Sequence, residues 1–283
     1  MRIARLKSCS SASRHREIFQ ILFVVLASRV SNFDEKTTNL SEQSFLIIGG
    51  SSDIALHLGE IILGSGRKLT VLARDMDRLT KIKTLGADII EGDGLDSKSV
   101  EKAIDVAAEN GNGKISGAAH LIGSISLKAP HLSDLDFFHE VIQTNLSSAF
   151  LALSIFSKKT MKAGESRLVF TSSVAATLGL VNHEAISAAK AGLEGMVRSA
   201  AATYARRGLR INAVAPGLTD TRLASQFTES DVVRKMATDM IPIRKISTPS
   251  QIASTINWLL TEAPSNLTGE VIHLDGGMSR LRN

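Results

Sequence analysis

The residues best suited to moving a proton in this sequence lie around one segment of helical periodicity, residues 184–207. Lys190 lies within that segment, and His183 stands seven residues before the lysine. Seven residues make two helical turns, so both side chains are expected on nearly the same face of the helix. An imidazole is a reasonable proton donor near neutral pH. Ser173, which follows a short apolar run, adds a hydroxyl, and the group as a whole suits acid–base chemistry.

A second set of residues is suited to holding a diphosphate. A short apolar run at 45–48 is followed by Gly49 and then by a segment that begins a helix at Asp53. Ligands of parallel α/β sheets bind at such turns, where the end of a strand meets a helix N-terminus. Gly49 permits the tight turn, and residues 50–52 are expected to offer N–H and hydroxyl donors. Asp53 would repel a diphosphate unless its carboxylate turns away and caps the helix.

The order of apolar segments predicts an α/β fold with a doubly wound parallel sheet, a Rossmann fold, in a single domain. Short apolar runs typical of strands buried on both faces alternate with segments of helical periodicity. Such alternation implies right-handed βαβ units and about seven strands. The predicted strands are 45–48, 69–73, 88–91, 116–122, 167–172, 209–214 and 270–274. The predicted helices are 53–64, 97–109, 134–162, 184–207 and 248–262.

Charge separates the start of the chain from the remainder. The net charge is +5 over 283 residues, and the first 30 residues supply all of it, with six basic residues against one acid. The remaining chain sums to zero and aromatic residues make up only 4% of the sequence, so we predict no nucleic-acid binding. The basic residues of this stretch are Arg2, Arg5, Lys7, Arg14, Arg16 and Arg29, and the acid is Glu17.

Residues 1–43 are predicted to be a leader and linker that precede a domain at 44–283. The apolar run at 18–27 is too short to span a bilayer, so no transmembrane span is expected. The Arg- and Ser-rich composition fits a cleavable presequence for a mitochondrion or plastid; a secretory signal peptide and a cytoplasmic protein with a disordered tail are the alternatives. The only cysteine, Cys9, lies in the leader, which excludes an intrachain disulfide and leans against an oxidising compartment.

An ordered set of motifs between roughly residues 45 and 279 resembles the short-chain dehydrogenase/reductase family. The set contains a glycine turn, an asparagine, a Ser-Ser pair, a lysine and two glycine-containing segments, in the order and spacing of the family. The resemblance implies an NAD(P)-dependent oxidoreductase that prefers NADP(H), with NAD(H) possible, and that needs no metal. The motifs are 49–55, 144–146, 172–174, 190–192, 210–217 and 271–277.

The catalytic tyrosine of the family is missing, because Ile186 stands four residues before Lys190. In the family, the tyrosine gives a proton to the carbonyl oxygen, and the lysine lowers the pKa of the tyrosine and holds the nicotinamide ribose. The serine polarises the carbonyl, and the asparagine organises a proton-relay water. The resemblance therefore assigns Asn145, Ser173 and Lys190 to catalysis and leaves the proton donor open.

Four accounts of the missing proton donor remain. His183 overlays the tyrosine of the enoyl-thioester reductase branch, which residues 120–123 also resemble. Glu184 is a second candidate, and Ser173 acting through a water chain with the asparagine and lysine is a third. These three accounts predict reduction of a carbonyl or conjugated C=C in a small-molecule or thioester substrate. In the fourth account the site has no efficient chemistry, and the protein is a cofactor-binding sensor or scaffold.

The resemblance also implies the cofactor contacts and the assembly. Arg74 follows the second strand where NADP-preferring relatives carry an arginine for the 2′-phosphate, although Asp75 could divert it into an ion pair. A substrate lid is implied at 218–245, and a homodimer or homotetramer is implied through the helices at 134–162 and 184–207. The expected cofactor contacts are Gly49, Ser51, Ser52, Ile54, Arg74, Asp93, Gly94, Gly123, Lys190, Pro216, Gly217, Leu218 and Thr221.

Overall fold

Seven parallel strands form the sheet at the centre of the computed structural model, which describes residues 40–161, 163–228 and 230–281. The strands are β1 (Ser44–Ile48), β2 (Lys68–Ala73), β3 (Asp88–Glu91), β4 (Gly117–His120), β5 (Ser166–Thr171), β6 (Leu209–Pro216) and β7 (Val271–Leu274). Their order across the sheet is β3-β2-β1-β4-β5-β6-β7. This order confirms the predicted doubly wound fold. The order reverses between β1 and β4, which is where ligands of such sheets bind.

Helices cover both faces of the sheet. They are α1 (Asp53–Gly64), α2 (Thr80–Thr84), α3 (Ser97–Asn110), α4 (Leu135–Ile142), α5 (Ser148–Thr160), α6 (Glu184–Tyr204), α7 (Ser225–Thr228), α8 (Asp231–Asp239) and α9 (Pro249–Thr261). One apolar cluster joins α3, α5 and α6 to one face, and a second joins α1, α2 and α9 to the other. Residues 1–39 of the leader and linker predicted at 1–43 lie outside the described residues, and the leader stays a prediction. No helix within the described ranges is long and apolar enough to cross a membrane.

Local signals explain where the helices begin. Ser52 caps α1 by accepting a hydrogen bond from the Ala55 N–H at 3.2 Å. Thr248 and Gln251 form a reciprocal capping box at the start of α9, and Pro249 occupies the first turn. Such caps satisfy backbone N–H groups that have no partner inside the helix. The start of α1 is therefore held in place beside the end of β1.

The long helix predicted at 134–162 is wrong in one respect, because a π-helical turn at Gln143–Ser147 separates α4 from α5. The side-chain amide of Asn145 explains this break. It donates to the Val141 carbonyl at 3.0 Å, which is the acceptor that a regular helix would give to the Asn145 backbone N–H. π-turns are rare and frequently mark functional sites. The break brings Asn145 into the interior, where it is fully buried.

Two smaller expectations also differ from the structure. β3 and β7 are the edge strands, so they are only partly buried instead of buried on both faces. The strand predicted at 116–122 ends at His120, although the Leu121 N–H still donates to the Ile48 carbonyl of β1 at 2.8 Å. The segment at 218–245 contains the helices α7 and α8, and its role as a lid stays a prediction.

Replacing Gly50 by alanine is expected to destabilise the fold by about 1–3 kcal/mol, the usual cost of overpacking. The added Cβ would lie 2.0 Å from Cγ1 of Val71, whose β-branched side chain has few other rotamers in a buried strand. Urea denaturation measures the effect. Gly64→Ala is the matched control, because a Cβ there meets nothing within 4 Å. Equal denaturation midpoints for the two variants would contradict the prediction.

Candidate active site

A cavity of about 830 Å³ opens at the carboxyl ends of the strands, around the point where the strand order reverses. This volume lies within the range of small-molecule and cofactor sites. Most of the residues that the sequence predicted for the site line this cavity; Gly50 and Glu184 do not. Those that line it are Asn145, Ser173, His183 and Lys190, together with Gly49, Ser51, Ser52, Ile54, Arg74, Asp93, Gly94, Gly123, Pro216, Gly217, Leu218 and Thr221.

Glycines keep the nucleotide end of the cavity open. A Cβ on Gly49, which has a φ of +91°, would lie 2.9 Å from the backbone nitrogen of Ile122. A Cβ on Gly94 would lie 2.2 Å from Cδ1 of the same isoleucine. The Gly49 position does not admit a side chain, so the backbones of the turns after β1 and β4 approach one another closely, whereas a side chain on Gly94 would displace the side chain of Ile122. This cradle fits a dinucleotide, whose diphosphate needs close access to backbone N–H groups.

The donors of the glycine turn differ in part from the prediction. The Gly50 N–H donates to the Leu72 carbonyl at 3.0 Å, so it is not available to a diphosphate. Ser52, and not Asp53, caps α1. Ser51 and Ser52 both line the cavity at the start of this helix, where the partial positive charge of the helix favours an anion.

Arginines compensate the carboxylate of Asp53. Arg78 forms an ion pair with it at 2.5 Å and also donates to the Ser51 carbonyl, and the Arg222 backbone N–H donates to the second carboxylate oxygen at 2.7 Å. Partial burial acts to raise the pKa of Asp53, but these hydrogen bonds and charges outweigh burial and hold the pKa below its ordinary value. The repulsion expected from Asp53 is therefore largely cancelled.

Arg74 is held loosely at the end of β2. Its guanidinium lies 3.5 Å from the Asp93 carboxylate and its side chain is 77% exposed. Asp75 does not divert it, because Asp75 lies 3.6 Å from the guanidinium of Arg222 instead. Exposed ion pairs of this kind contribute little free energy, so Arg74 is free to bind a phosphate.

Lys190 brings a buried ammonium group to the other end of the cavity. Its Nζ donates to the Thr171 carbonyl at 2.8 Å, and its side chain is almost fully buried on α6. Burial lowers the pKa of Lys190 from its ordinary value to about 8. A Cβ on Gly123 would lie 3.6 Å from this Nζ, so the absence of a side chain there leaves the ammonium open to the cavity.

Asn145 and Ser173 flank the ammonium. The Asn145 amide oxygen accepts from the Ser124 N–H at 3.0 Å, and its nitrogen donates to the Ser124 hydroxyl at 2.9 Å. Ser173 begins a short 3₁₀ turn and accepts from the Ala175 N–H at 3.2 Å, which leaves its hydroxyl proton for another acceptor. The structure thus brings the predicted serine, asparagine and lysine to the same cavity.

Ile186 and His183 occupy the part of α6 where a proton donor is expected. Ile186 is 5% exposed and packs against Val141, Ala175 and Ala189. His183 is the N-cap residue of α6 and lines the cavity, and its Nδ1 lies 2.7 Å from the Val181 carbonyl oxygen. Glu184, the other acidic candidate, is exposed and is not part of the cavity wall. His183 is therefore better placed than Glu184.

Several residues of the site were not predicted as such. Arg78 and Arg222 act on Asp53 from 25 and 169 residues away, a separation that leaves no local signal.

His120 is fully buried at the end of β4, and neither ring nitrogen has a hydrogen-bond partner among the described residues. Burial and the charge of Lys190 lower the pKa of His120 to about 3, so the imidazole is neutral. Ser172 donates to the buried Glu194 carboxylate at 2.8 Å, which joins the end of β5 to α6.

Comparisons with known sequences agree with this architecture. The family model described as enoyl-(acyl carrier protein) reductase matches residues 50–279. A 3-oxoacyl-[acyl-carrier-protein] reductase from Mycobacterium tuberculosis is 29% identical over 244 residues, which cover 83% of this chain and 92% of the relative. A cis-4-hydroxycyclohexanecarboxylate dehydrogenase from Sinomonas cyclohexanicum is 30% identical over 84% of this chain and 96% of its own.

Solved structures share the fold at lower identity. A short-chain type dehydrogenase/reductase from Mycobacterium ulcerans has a TM-score of 0.81 at 22% identity, covering 86% of this chain and 92% of that one. An actinorhodin polyketide ketoreductase with NADPH has a TM-score of 0.78 at 23% identity, covering 85% and 99%. The family match over most of the chain confirms the resemblance read from the motifs: this chain belongs to the short-chain dehydrogenase/reductase family and is an NAD(P)-dependent oxidoreductase.

Proposed function

We propose that the protein is an NADPH-dependent reductase of a carbonyl or conjugated C=C in a small-molecule or thioester substrate, with His183 as the proton donor. The observation that carries this proposal is the cavity that Ser173, Lys190 and His183 line together, with Ile186 at the position of the usual tyrosine. A relative named as a 3-oxoacyl reductase supports reduction of a carbonyl, and the match to a family model described as an enoyl reductase supports reduction of a conjugated C=C. NADH is the alternative cofactor.

Each of these residues has a distinct task in the proposal. NADPH, when bound, supplies a hydride to the substrate carbon. Arg74 binds the 2′-phosphate, Ser51 and Ser52 border the diphosphate, and the Lys190 ammonium holds hydroxyl oxygens of the nicotinamide ribose. The Ser173 hydroxyl donates its proton to the substrate oxygen, while its oxygen accepts from the Ala175 N–H.

The hydrogen bond that His183 makes determines which of its ring nitrogens can donate a proton to the substrate. Contact between Nδ1 and the Val181 carbonyl oxygen favours a proton on Nδ1, because a carbonyl only accepts. In the neutral ring Nε2 then carries a lone pair, so the imidazolium is the form that donates from Nε2. The proton goes to the carbonyl oxygen, or to the enolate that hydride addition to a conjugated C=C leaves.

Assembly and targeting complete the proposal. Large apolar side chains stand exposed on the helices implied for subunit contacts: Phe150 on α5 is 62% exposed and Leu135 on α4 is 71% exposed. Exposed apolar area of this kind supports a homodimer or homotetramer through these helices.

The basic leader supports import into a mitochondrion or plastid, with secretion and a cytoplasmic location as alternatives.

Replacing His183 by alanine is expected to lower kcat about 10²–10⁴-fold, the usual contribution of general acid catalysis. NADPH oxidation is measured with ketones, aldehydes, enoyl-thioesters and quinones. His139→Ala is the control, because His139 is exposed on α4 and does not line the cavity. Turnover that survives in the His183 variant would move the proton to the Ser173–water route. An inactive wild type that binds NADPH tightly would favour the sensor or scaffold reading.

Replacing Arg74 by alanine is expected to weaken NADPH binding about 10–100-fold, the value of a charge-assisted hydrogen bond to phosphate. NADH binding is expected to stay unchanged, since NADH has no 2′-phosphate. Fluorescence titration of both cofactors measures the two dissociation constants. Arg206→Ala, at an exposed position remote from the cavity, is the control. An equal loss for NADH and NADPH would exclude Arg74 as the source of cofactor preference.

Replacing Lys190 by methionine is expected to abolish tight NADPH binding without lowering the stability of the unliganded protein at pH 7. The pKa of Lys190 lies near 8 in the folded protein, below its ordinary 10.5, so the unfolded chain binds more protons between these values. Wild-type stability therefore gains on the variant as the pH rises through this window, by up to about 3 kcal/mol. Denaturation curves of both proteins from pH 7 to 10 measure the difference. A constant difference over that range would refute the lowered pKa.

A further inference from the structure

Ser124 lines the cavity with a hydroxyl group that the proposed reaction does not use. It follows Gly123 in the turn after β4 and is half-buried. Its backbone N–H donates to the Asn145 amide oxygen at 3.0 Å, and its hydroxyl oxygen lies 2.9 Å from the Asn145 amide nitrogen. The direction of this second hydrogen bond decides where the hydroxyl proton of Ser124 points.

The other contacts of Asn145 fix that direction. Its amide oxygen must face the Ser124 N–H, because an N–H only donates. Its amide nitrogen must face the Val141 carbonyl oxygen at 3.0 Å, because a carbonyl only accepts. The two hydrogens on this nitrogen then go to the Val141 carbonyl and to the Ser124 hydroxyl oxygen. Ser124 therefore accepts from Asn145, and its own hydroxyl proton points elsewhere.

The hydroxyl proton of Ser124 has no acceptor within the part of the chain that the structure describes. A half-buried donor without a partner costs free energy, and an oxygen atom in the cavity would recover it. Because Ser124 lines the cavity, this oxygen can belong to a bound ligand. The hydroxyl is thus oriented in advance as a hydrogen-bond donor.

Ser173 is oriented in the same way, since its oxygen accepts from the Ala175 N–H at 3.2 Å and leaves its proton available. The two serines also follow neighbouring strands. β4 and β5 pair with His120 opposite Phe170, and each serine lies a few residues beyond that pair. The carboxyl ends of these strands therefore carry two hydroxyl donors that line one cavity.

The Lys190 ammonium lies close to both strand ends. Its Nζ donates to the carbonyl oxygen of Thr171, shortly before Ser173, at 2.8 Å. A Cβ on Gly123, directly before Ser124, would lie 3.6 Å from the same Nζ. A substrate that reacts beside Lys190 is therefore bordered by residues from both strand ends.

We propose that Ser124 is a second hydroxyl donor to the substrate oxygen, together with Ser173. The inference rests on the proposed function, because it adds a residue to the same reduction. When the hydride adds to the substrate carbon, the electron pair of the reduced double bond leaves negative charge on the oxygen. The two hydroxyl groups stabilise this charge, and His183 then protonates the oxygen. No covalent bond to Ser124 forms or breaks.

This assignment compensates in part for the missing tyrosine. Ile186 offers no hydrogen bond to the substrate oxygen, so Ser173 alone would leave that oxygen with one hydroxyl donor. Donors that are fixed before the reaction need no reorientation while the charge develops, which is why they lower the barrier. Asn145 provides that fixation for Ser124, because its amide holds both the N–H and the hydroxyl oxygen of the serine.

Replacing Ser124 by alanine is expected to lower kcat about 10²–10³-fold, the usual effect of removing one such donor. KM and NADPH affinity are expected to stay near the wild-type values, since the hydrogen bond strengthens only as charge develops. Unchanged NADPH affinity also shows that the variant is folded. Ser124→Thr keeps the hydroxyl and is expected to retain most of kcat. Steady-state NADPH oxidation measures these constants.

Ser126→Ala is the matched control, because Ser126 is a half-buried serine of the same turn that does not line the cavity. Its kcat is expected to equal that of the wild type. A kcat of Ser124→Ala equal to that of the wild type would overturn the inference. An equally large loss in Ser126→Ala would overturn it as well.

Infrared spectra of cyclohexanone, isotope-labelled at its carbonyl carbon, test the hydrogen bond without turnover. The ketone is bound to the full-length protein saturated with NADP⁺, which has no hydride to give. Each hydrogen bond to the oxygen weakens the C=O bond, so the stretching band is expected at a higher frequency in Ser124→Ala than in the wild type. Ser126→Ala is expected to match the wild type. An identical band in the wild type and Ser124→Ala would overturn the inference, whatever the value of kcat.

The spectra and the turnover assay fail independently. A band that depends on Ser124, without NADPH oxidation on any substrate, would support the second donor and refute the reductase activity. NADPH oxidation that is unchanged in Ser124→Ala would support the reductase and refute the second donor.

Discussion

The burial of the Lys190 ammonium is the constraint on which the rest of the site depends. Its partner is the carbonyl oxygen of Thr171, and no carboxylate within the described residues forms an ion pair with it. A buried charge without a counter-ion costs several kcal/mol even after the surroundings relax, and the lowered pKa of Lys190 expresses that cost. A ligand that offers oxygen atoms to the ammonium relieves the cost. The fold therefore holds a cation that is stabilised fully only when the site is filled.

The residues around Lys190 follow from this arrangement. Gly123 leaves the ammonium uncovered on its cavity side, where any side chain would begin to screen it. His120 stays neutral because burial and the nearby ammonium both oppose a second positive charge. At the nucleotide end the charges are balanced instead, because the Asp53 carboxylate forms an ion pair with Arg78 and accepts a hydrogen bond from the Arg222 N–H. Charge is compensated where the nucleotide enters and left uncompensated where the reaction takes place.

The sequence predicted those features that depend on short-range patterns. Hydrophobic periodicity placed every strand and the main helices, because burial on a sheet or helix face repeats with a fixed period. The glycine turn was predicted from its place between a strand and a helix, whereas Ser173 and Lys190 were predicted from the order and spacing of the family's motifs and His183 from its separation of two turns from the lysine. All of them line a single cavity in the structure.

Features that depend on distant partners could not be predicted in this way. The π-turn at Asn145 arises because its amide bonds both Val141 in its own helix and Ser124 after β4. Asp53 looked unfavourable beside a diphosphate, because nothing near it in the sequence identifies Arg78 or Arg222 as its partners. The helix α8 was not predicted, and no local pattern in the sequence shows that its residues Val233 and Ala237 line the cavity.

The Ser173 route and the His183 route differ in how the donor regains its proton after each turnover. Each hydride delivered requires one proton, and a serine hydroxyl is too weak an acid to release one without receiving another at the same time. On the Ser173 route the proton must come through the buried Lys190, whose ammonium is lost above a pH of about 8. On the His183 route the half-buried imidazole at the start of α6 exchanges with solvent directly. With His183 as the donor, one residue supplies the proton and another, Lys190, binds the ribose. The family's tyrosine–lysine pair combines these two tasks. Because position 186 then has no proton to supply, an apolar residue can border the substrate there.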